Sequence, residues 1–171
     1  MGVLRAGALA VLAGALVLGA GGCSGPDDGW TEVEVGHLTA QYPSDWTEEP
    51  PTGDVFTKRF VGQDMEIQIS GRFSEDPSAS AAFGRLDLPA TVGLRGYSSG
   101  GTQNATVEGA DTALRSDYTF EDEGTTKRGV WVVAGQYPYP ATAVVSISGA
   151  TLDPQVVQHV VDTLTFTKTA G

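Results

Sequence analysis

Cysteine is almost absent from this chain of 171 residues, which has a single one at position 23. Small exported domains are often crosslinked by disulfides, and a lone cysteine cannot form a disulfide within its own chain. A domain of about 150 residues nevertheless buries roughly 68–70% of the surface that its unfolded chain exposes. We therefore expect residues 30–171 to form a single domain that is stabilised by a hydrophobic core.

Residues suited to catalysis or metal binding are also scarce. The only histidines are His37 and His159, and neither a zinc-type His/Cys spacing nor a G-x-S-x-G nucleophile motif occurs. The acidic clusters Ser74–Asp76 and Glu121–Glu123 lack the spacing of a calcium-binding loop, and a helix cap and a hairpin tip account for them. We interpret both histidines as surface residues and expect no catalytic residue, no metal site and no cofactor.

Runs of basic residues are missing as well. The chain has 10 lysines and arginines against 21 aspartates and glutamates, which gives a net charge of −11. Such a field repels the phosphates of nucleic acids, so the composition excludes a nucleic-acid partner. The acidity is best explained as a contribution to solubility.

The first segment of the chain is typical of an export signal. Arg5 precedes the apolar run Ala6–Ala20, which is shorter than the roughly 20 residues that span a bilayer. The segment Gly21–Cys23 resembles the lipobox of bacterial lipoproteins, which implies cleavage after residue 22 and acyl chains such as palmitate on Cys23. The alternative is an ordinary secretory signal with an incidental cysteine. The resemblance implies an extracytoplasmic protein that Cys23 anchors in the cell membrane, with residues 23–29 as a short linker.

From Trp30 onward the dominant hydrophobic period is two, which is typical of strands with one buried face and one wetter face. One such strand carries these apolar residues on a single face: Met65, Ile67, Ile69 and Phe73. Two runs, 130–134 and 143–147, are apolar on both faces and are interpreted as central strands. The pattern predicts an antiparallel sheet of about six to eight strands.

Two helices are expected to interrupt the strands. Each opens with Asp-Pro, at Asp76 and at Asp153, and an aspartate N-cap followed by proline is a common helix start. We expect Pro89 to end the first helix or to begin a second short turn that reaches Leu94. With the sheet, these helices predict an α+β fold.

Two segments carry a resemblance to a known family. Residues 38–46 read LTAQYPSDW, and residues 160–166 read VVDTLTF. With the predicted order of strands and helices, they resemble the PsbP-like α/β/α fold and, within it, the small actinobacterial LpqN-type envelope lipoproteins. The family includes photosystem subunits and a nuclear Ran-binding protein. The resemblance therefore implies binding to other macromolecules, with no shared catalytic motif.

The stretch QYPSDW gathers the residue types of an active site, but we interpret it as a corner of the fold. Tyr42 would be the last inward residue of its strand, and Pro43 lacks the N–H that continues a ladder. Ser44 and Asp45 favour a turn through hydrogen bonds from side chain to backbone. Trp46 would then pack its apolar face against the edge of the sheet.

The segment Gln136–Pro140, QYPYP, joins the two most apolar strands. Connections lie on the surface, so Tyr137 and Tyr139, stiffened by the prolines, are candidate partner-binding residues, because rigid aromatics are enriched at interaction hot spots. The alternative is that both rings fold down and cap the core.

These observations favour a non-catalytic lipoprotein that binds a protein or cell-wall partner. A second hypothesis is a carrier or sensor of a small apolar or lipidic ligand, held in a cleft between sheet and helix. A weaker third hypothesis is an envelope hydrolase, which would require His159 to lie near a serine and a carboxylate.

Overall fold

A computed structural model describes residues 29–169. The predicted signal peptide, the lipidation site Cys23 and nearly all of the linker lie outside the described residues. In residues 29–169 there is no helix with the length and apolar character needed to cross a membrane.

The described chain contains ten strands and two helices. Their bounds are β1 Trp30–Val35, β2 Leu38–Pro43, β3 Thr47–Glu49, β4 Lys58–Gly62, β5 Met65–Ser74, α1 Ala79–Gly93, β6 Ser98–Asn104, β7 Thr112–Asp122, β8 Thr125–Gln136, β9 Ala141–Gly149, α2 Pro154–Thr163 and β10 Thr165–Phe166.

The strands form two antiparallel sheets. The main sheet has seven strands in the order β3-β4-β5-β9-β8-β7-β6, and the small sheet has three in the order β1-β2-β10. Every pair of neighbouring strands within each sheet is antiparallel. The predicted α+β class, with an antiparallel sheet and two main helices, is therefore confirmed.

Each face of the main sheet packs against a different layer. One face forms the larger core with the small sheet and α2, and Ile67, Ile147 and Val160 are completely buried in it. The opposite face packs against α1 through Trp131 and Val133. The alternation of strand residues between two faces explains why both layers find apolar partners.

One strand residue lies on the face opposite to the predicted one. Phe73 was expected to share a face with Ile67 and Ile69, but it packs with the α1 cluster. The pairing of β5 with β9 shifts register between Ser70 and Ser74. Such an irregularity reverses which side chains face the core, and the alternation of residues alone does not reveal it.

The two helix starts differ in how well they follow the sequence pattern. Asp153 caps α2 as predicted, because its carboxylate accepts a hydrogen bond of 2.8 Å from Gln155 N. At α1 the cap is Ser78, whose Oγ accepts from Ala81 N, so the prediction of Asp76 is wrong. Asp76 instead pairs with Arg85.

The helix α1 also continues past the expected stop, since Pro89 lies inside it and the helix ends at Gly93. Its inner residues pack against the sheet, which offsets the hydrogen bond that the proline cannot make.

The antiparallel registers define two ends of the domain. At the end that we call proximal, the described chain begins at Gly29, whose carbonyl accepts a hydrogen bond of 2.9 Å from Ser44 N. At the opposite, distal end lies the turn between β1 and β2, where His37 N donates to Gly71 O at 2.8 Å. The connection between β8 and β9 lies at the distal end too, because the end of β5 pairs with the start of β9.

Candidate functional site

The connection between β8 and β9 projects two aromatic rings from the distal end. Tyr137 is 67% exposed and Tyr139 is 57% exposed, whereas Gln136 and Thr142 in the two flanking strands are buried. The rings therefore do not cap the core, which was the alternative that the sequence left open. We call residues 136–140 the aromatic connection.

The backbone of the aromatic connection is fixed although its rings are exposed. The buried side chain of Gln136 donates to the carbonyl of Tyr139 and accepts a hydrogen bond of 2.8 Å from Thr169 N. The carboxylate of Asp111 accepts from Tyr137 N at 3.0 Å and pairs with Lys168. Lys168 and then the Tyr137 N–H hold the pKa of Asp111 below its ordinary value. These contacts restrain the main chain and leave the rings available for binding.

A concavity of about 340 Å³ adjoins the aromatic connection at the distal end. Tyr139 lines it, as do Arg72 at the end of β5 and Glu75 in the turn after that strand. His37 and Thr169 also line it. One guanidinium, one carboxylate and one exposed phenol ring thus line the same concavity.

The predicted corner residues lie at the proximal end, away from the aromatic connection. Trp46 is 7% exposed, and its N–H closes the turn by donating to Pro43 O at 3.0 Å. Tyr42 stacks on Phe60 with ring centroids 3.8 Å apart. Asp45 is exposed and makes no hydrogen bond within residues 29–169, so the expected hydrogen bond from its side chain to the backbone is wrong. This packing supports a structural role for the stretch.

Both histidines lie at the surface of the domain, and both are half-buried and packed against neighbouring side chains. His37 donates from Nδ1 to Thr167 O at 2.9 Å and stacks on Phe166. His159 stacks on Trp30 with centroids 3.6 Å apart, and its Nε2 lies 2.7 Å from Gln41 Oε1. The hydrogen-bond partner of His159 is an amide, whereas the hydrolase hypothesis requires a serine and a carboxylate.

A second concavity, of about 610 Å³, lies on the α1 side of the main sheet towards the proximal end. The helix α1 covers only part of this face, and polar side chains of β5 and β9 form the uncovered floor. The residues of the floor are Glu66, Gln68, Ser146 and Ser148. We call this concavity the polar cleft.

The floor of the polar cleft is a connected hydrogen-bond network. Glu66 accepts from Gln68 Nε2 at 2.9 Å and from Ser148 Oγ at 3.2 Å, and it pairs with Arg59 at 2.7 Å. The alternation of residues in β5 predicts that Gln68 lies on the wetter face of the strand, yet Gln68 is 7% exposed. The alternate serines Ser146 and Ser148 of the largely apolar β9 are the sequence signal that could have indicated this floor.

An aromatic wall closes one side of the polar cleft. Tyr118 stacks on Trp131 with centroids 4.1 Å apart, and its hydroxyl lies 3.1 Å from Ser146 Oγ. The ring crosses Gly129, where an added Cβ would come within 2.1 Å of Tyr118 Cζ. Burial raises the pKa of the Tyr118 phenol to about 12. At neutral pH the phenol is therefore a neutral hydrogen-bonding group.

No group of three or more His, Cys, Asp or Glu side chains with a geometry suited to a metal ion occurs between residues 29 and 169. The polar cleft and the distal concavity are thus described by hydrogen bonding, ion pairing and aromatic contacts alone.

The seven-stranded antiparallel sheet with one helix on each face and a small sheet over the core defines an α+β fold that solved proteins share. No protein-family model and no curated protein sequence matches the chain.

Among solved structures, the Ran-binding protein Mog1p of Saccharomyces cerevisiae aligns with a TM-score of 0.51 and 13% identity, over 80% of this chain and 95% of that one. LpqN of Mycobacterium tuberculosis, which is involved in cell envelope biogenesis, aligns with a TM-score of 0.50 and 17% identity, over 81% and 91%. The expected likeness to LpqN-type proteins is thereby confirmed for the fold alone.

Proposed function

We propose that this protein is a non-catalytic, lipid-anchored extracytoplasmic module that binds a protein or cell-wall partner through the aromatic connection. The observation that carries the proposal is the exposure of Tyr137 and Tyr139 on a fixed backbone between two buried strands. Exposed rigid aromatics lose little conformational entropy when they bind, and tyrosine is enriched at hot spots.

The proposed anchor is Cys23, and it would hold the proximal end at the membrane. Six residue steps separate Cys23 from Gly29, and such a segment reaches at most about 20 Å when fully extended. Since the aromatic connection lies at the distal end, this arrangement would present Tyr137 and Tyr139 away from the bilayer.

The two solved relatives support an interaction role as an analogy of fold. One is a Ran-binding protein, and the other is involved in cell envelope biogenesis. A fold hosts many functions, so the specific partner must be argued from the surface of this chain.

The proposal is tested by purifying the lipidated protein from its own membranes and identifying the recovered proteins and cell-wall material by mass spectrometry. The test variant is Tyr137→Ser with Tyr139→Ser. The matched control is Leu88→Ser with Val92→Ser, which removes two apolar side chains that are 71% and 87% exposed on α1. We expect the tyrosine variant alone to lose a partner. Equal recovery with both variants would contradict the proposal.

A second candidate function is the binding of a small ligand in the polar cleft, a hypothesis that the position of the cleft between sheet and α1 favours. The floor of Glu66, Gln68, Ser146 and Ser148 suits a polar group better than the apolar chain expected from the sequence. Native mass spectrometry of the purified protein should show a bound mass, and Leu94→Trp at the rim should remove it. A protein of unmodified mass would exclude a tightly bound ligand.

A further inference from the structure

Two arginines differ from every other basic residue in the described chain. The lysines and arginines of residues 29–169 make ion pairs with carboxylates, except for Arg72 and Arg128. In a chain with 21 acidic residues and a net charge of −11, an exposed guanidinium without a carboxylate partner is an exception. Such a group is available for a carboxylate of another molecule.

Arg72 lies beside the aromatic connection. It lines the distal concavity together with Tyr139. Its aliphatic stem packs over Gly36, where an added Cβ would lie 3.0 Å from Arg72 Cγ. Because Gly36 has a φ of +58° and no side chain, the turn between β1 and β2 supports the stem while Arg72 stays exposed.

We propose that Arg72 and the aromatic connection form one docking surface for an acidic segment of a protein partner. The inference rests on the proposed function and adds the chemistry of the partner to it. In the docked state, a partner carboxylate pairs with the Arg72 guanidinium, and the neighbouring part of the segment packs on Tyr139 and Tyr137.

The residue types favour a protein segment over other anions. Tyrosine and arginine are enriched at the centres of protein–protein interfaces. The planar guanidinium binds a carboxylate through two parallel hydrogen bonds, which adds geometric specificity. A membrane lipid is a poorer occupant, because the proposed anchor at Cys23 would hold the opposite end of the domain at the bilayer.

Glu75 gives the surface a charge pattern that can be tested. It lines the same concavity as Arg72, and it makes no ion pair within residues 29–169. A carboxylate docked at Arg72 is repelled by Glu75, since like charges weaken an interface. The removal of the Glu75 charge should therefore strengthen the binding of an acidic segment, and the removal of the Arg72 charge should weaken it.

The binding experiment uses the full chain, labelled with ¹⁵N, in neutral detergent micelles. It is titrated separately with a tetra-aspartate peptide, a tetra-lysine peptide and inorganic phosphate. We expect saturable NMR shifts of the Arg72 Nε–H signal and of the backbone of the aromatic connection with tetra-aspartate only. Arg72→Gln should weaken binding about tenfold, the change expected from one lost charge pair. Glu75→Gln should tighten it, and Arg128→Gln, the control, should leave it unchanged.

Three outcomes would overturn the inference: no shift with tetra-aspartate, equal affinity of the Arg72→Gln variant, or phosphate binding as tightly as the peptide. Purification of the protein from its membranes distinguishes a failure of the Arg72 inference from a failure of the proposed function. If the tyrosine double variant loses the partner but Arg72→Gln retains it, the proposal of an acidic partner segment at Arg72 is wrong, and the proposed interaction module is still supported. If both variants retain the partner, the proposed function also fails.

Discussion

The indole of Trp46 lies directly over Gly62, where an added Cβ would come within 2.2 Å of Trp46 Cδ1. The corner residue and the end of β4 thus form one packing unit at the proximal end. This contact explains why an aromatic residue occupies the corner and a glycine occupies the end of the strand, because the ring packs directly on the backbone of Gly62.

Substitutions in this pair should therefore be coupled. Trp46→Ala should lower the free energy of unfolding by about 3–5 kcal/mol, the usual range for truncating a buried aromatic. In the wild-type background, Gly62→Ala should lower the free energy of unfolding by about 1–3 kcal/mol, because the added methyl group overpacks against Trp46. In the Trp46→Ala background, Gly62→Ala should leave the free energy of unfolding nearly unchanged. Urea denaturation of the single and double variants measures the coupling.

Asp45→Ala is the control for that series. Its carboxylate is exposed and makes no hydrogen bond within the described chain, so the substitution should change the free energy of unfolding by less than about 0.5 kcal/mol.

Additive effects of Trp46→Ala and Gly62→Ala on the free energy of unfolding, or a Trp46→Ala variant as stable as the wild type, would argue against the packing unit. The stretch would then return as a candidate binding site.

Much of the fold could be predicted because its signals are local. The alternation of residues identified strands, and Asp153 with Pro154 marked the start of α2 correctly. The start of α1 was misplaced because Ser78, two residues after Asp76, competes for the same role and Asp76 is engaged by Arg85. The face of Phe73 was missed since a register shift in β5 depends on pairing with β9, which lies far along the chain.

The candidate sites were harder to predict because they depend on distant residues. The backbone of the aromatic connection is held by distant residues, since Asp111 accepts from Tyr137 N and Thr169 N donates to Gln136. The polar floor around Gln68 looks like an ordinary solvated strand face until the loop before β4 is placed beside it, where Thr52 N donates to Gln68 Oε1 at 2.9 Å. That Arg72 lacks an ion pair within residues 29–169 becomes visible only when the carboxylates of those residues have positions.

The buried phenol of Tyr118 should make stability depend on alkaline pH. Burial raises its pKa from 10.0 to about 12 in the folded protein. Between these values the unfolded chain loses a proton that the folded chain keeps, so the free energy of unfolding falls as the pH rises, by up to about 1.4 kcal/mol per pH unit.

The Tyr118→Phe variant should lack this contribution to the slope. The quantity to compare between wild type and variant is the slope of the free energy of unfolding against pH. The difference between the two slopes is needed because the pKa of Tyr97 is also raised, chiefly by burial, and Tyr97 adds a similar pH dependence to both proteins. Urea denaturation at about pH 9 and at about pH 11 measures it. If the free energy of unfolding falls equally with pH in the wild type and in Tyr118→Phe, the phenol of Tyr118 is not buried with a raised pKa.

His159 is expected to act in packing rather than in catalysis. Its ring stacks on Trp30 and bonds to Gln41, so His159→Ala should lower the free energy of unfolding by about 1–3 kcal/mol, the sum of a stacking contact and a hydrogen bond. Gln41→Ala should lower the free energy of unfolding only by the contribution of the hydrogen bond to His159. A stable His159→Ala variant that abolished an ester-hydrolysing activity of the purified protein would revive the hydrolase hypothesis.

The anchor is tested by Cys23→Ser. If Cys23 carries the acyl chains, the serine variant should move from the membrane fraction to the soluble or secreted fraction, because two or more acyl chains are what make membrane binding stable. Its unfolding curve should match that of the wild-type domain. Retention of the serine variant on washed membranes would show that something other than Cys23 holds the protein there.

The affinity of a recovered partner for the Tyr137→Ser and Tyr139→Ser double variant is the most direct measurement of whether the aromatic connection is the binding surface. A hot-spot tyrosine contributes about 2 kcal/mol or more, so the dissociation constant should rise at least about thirtyfold. The melting temperature should stay nearly the same, because both rings are exposed. An unchanged dissociation constant, or a loss of binding that follows only from a loss of stability, would contradict the proposed function.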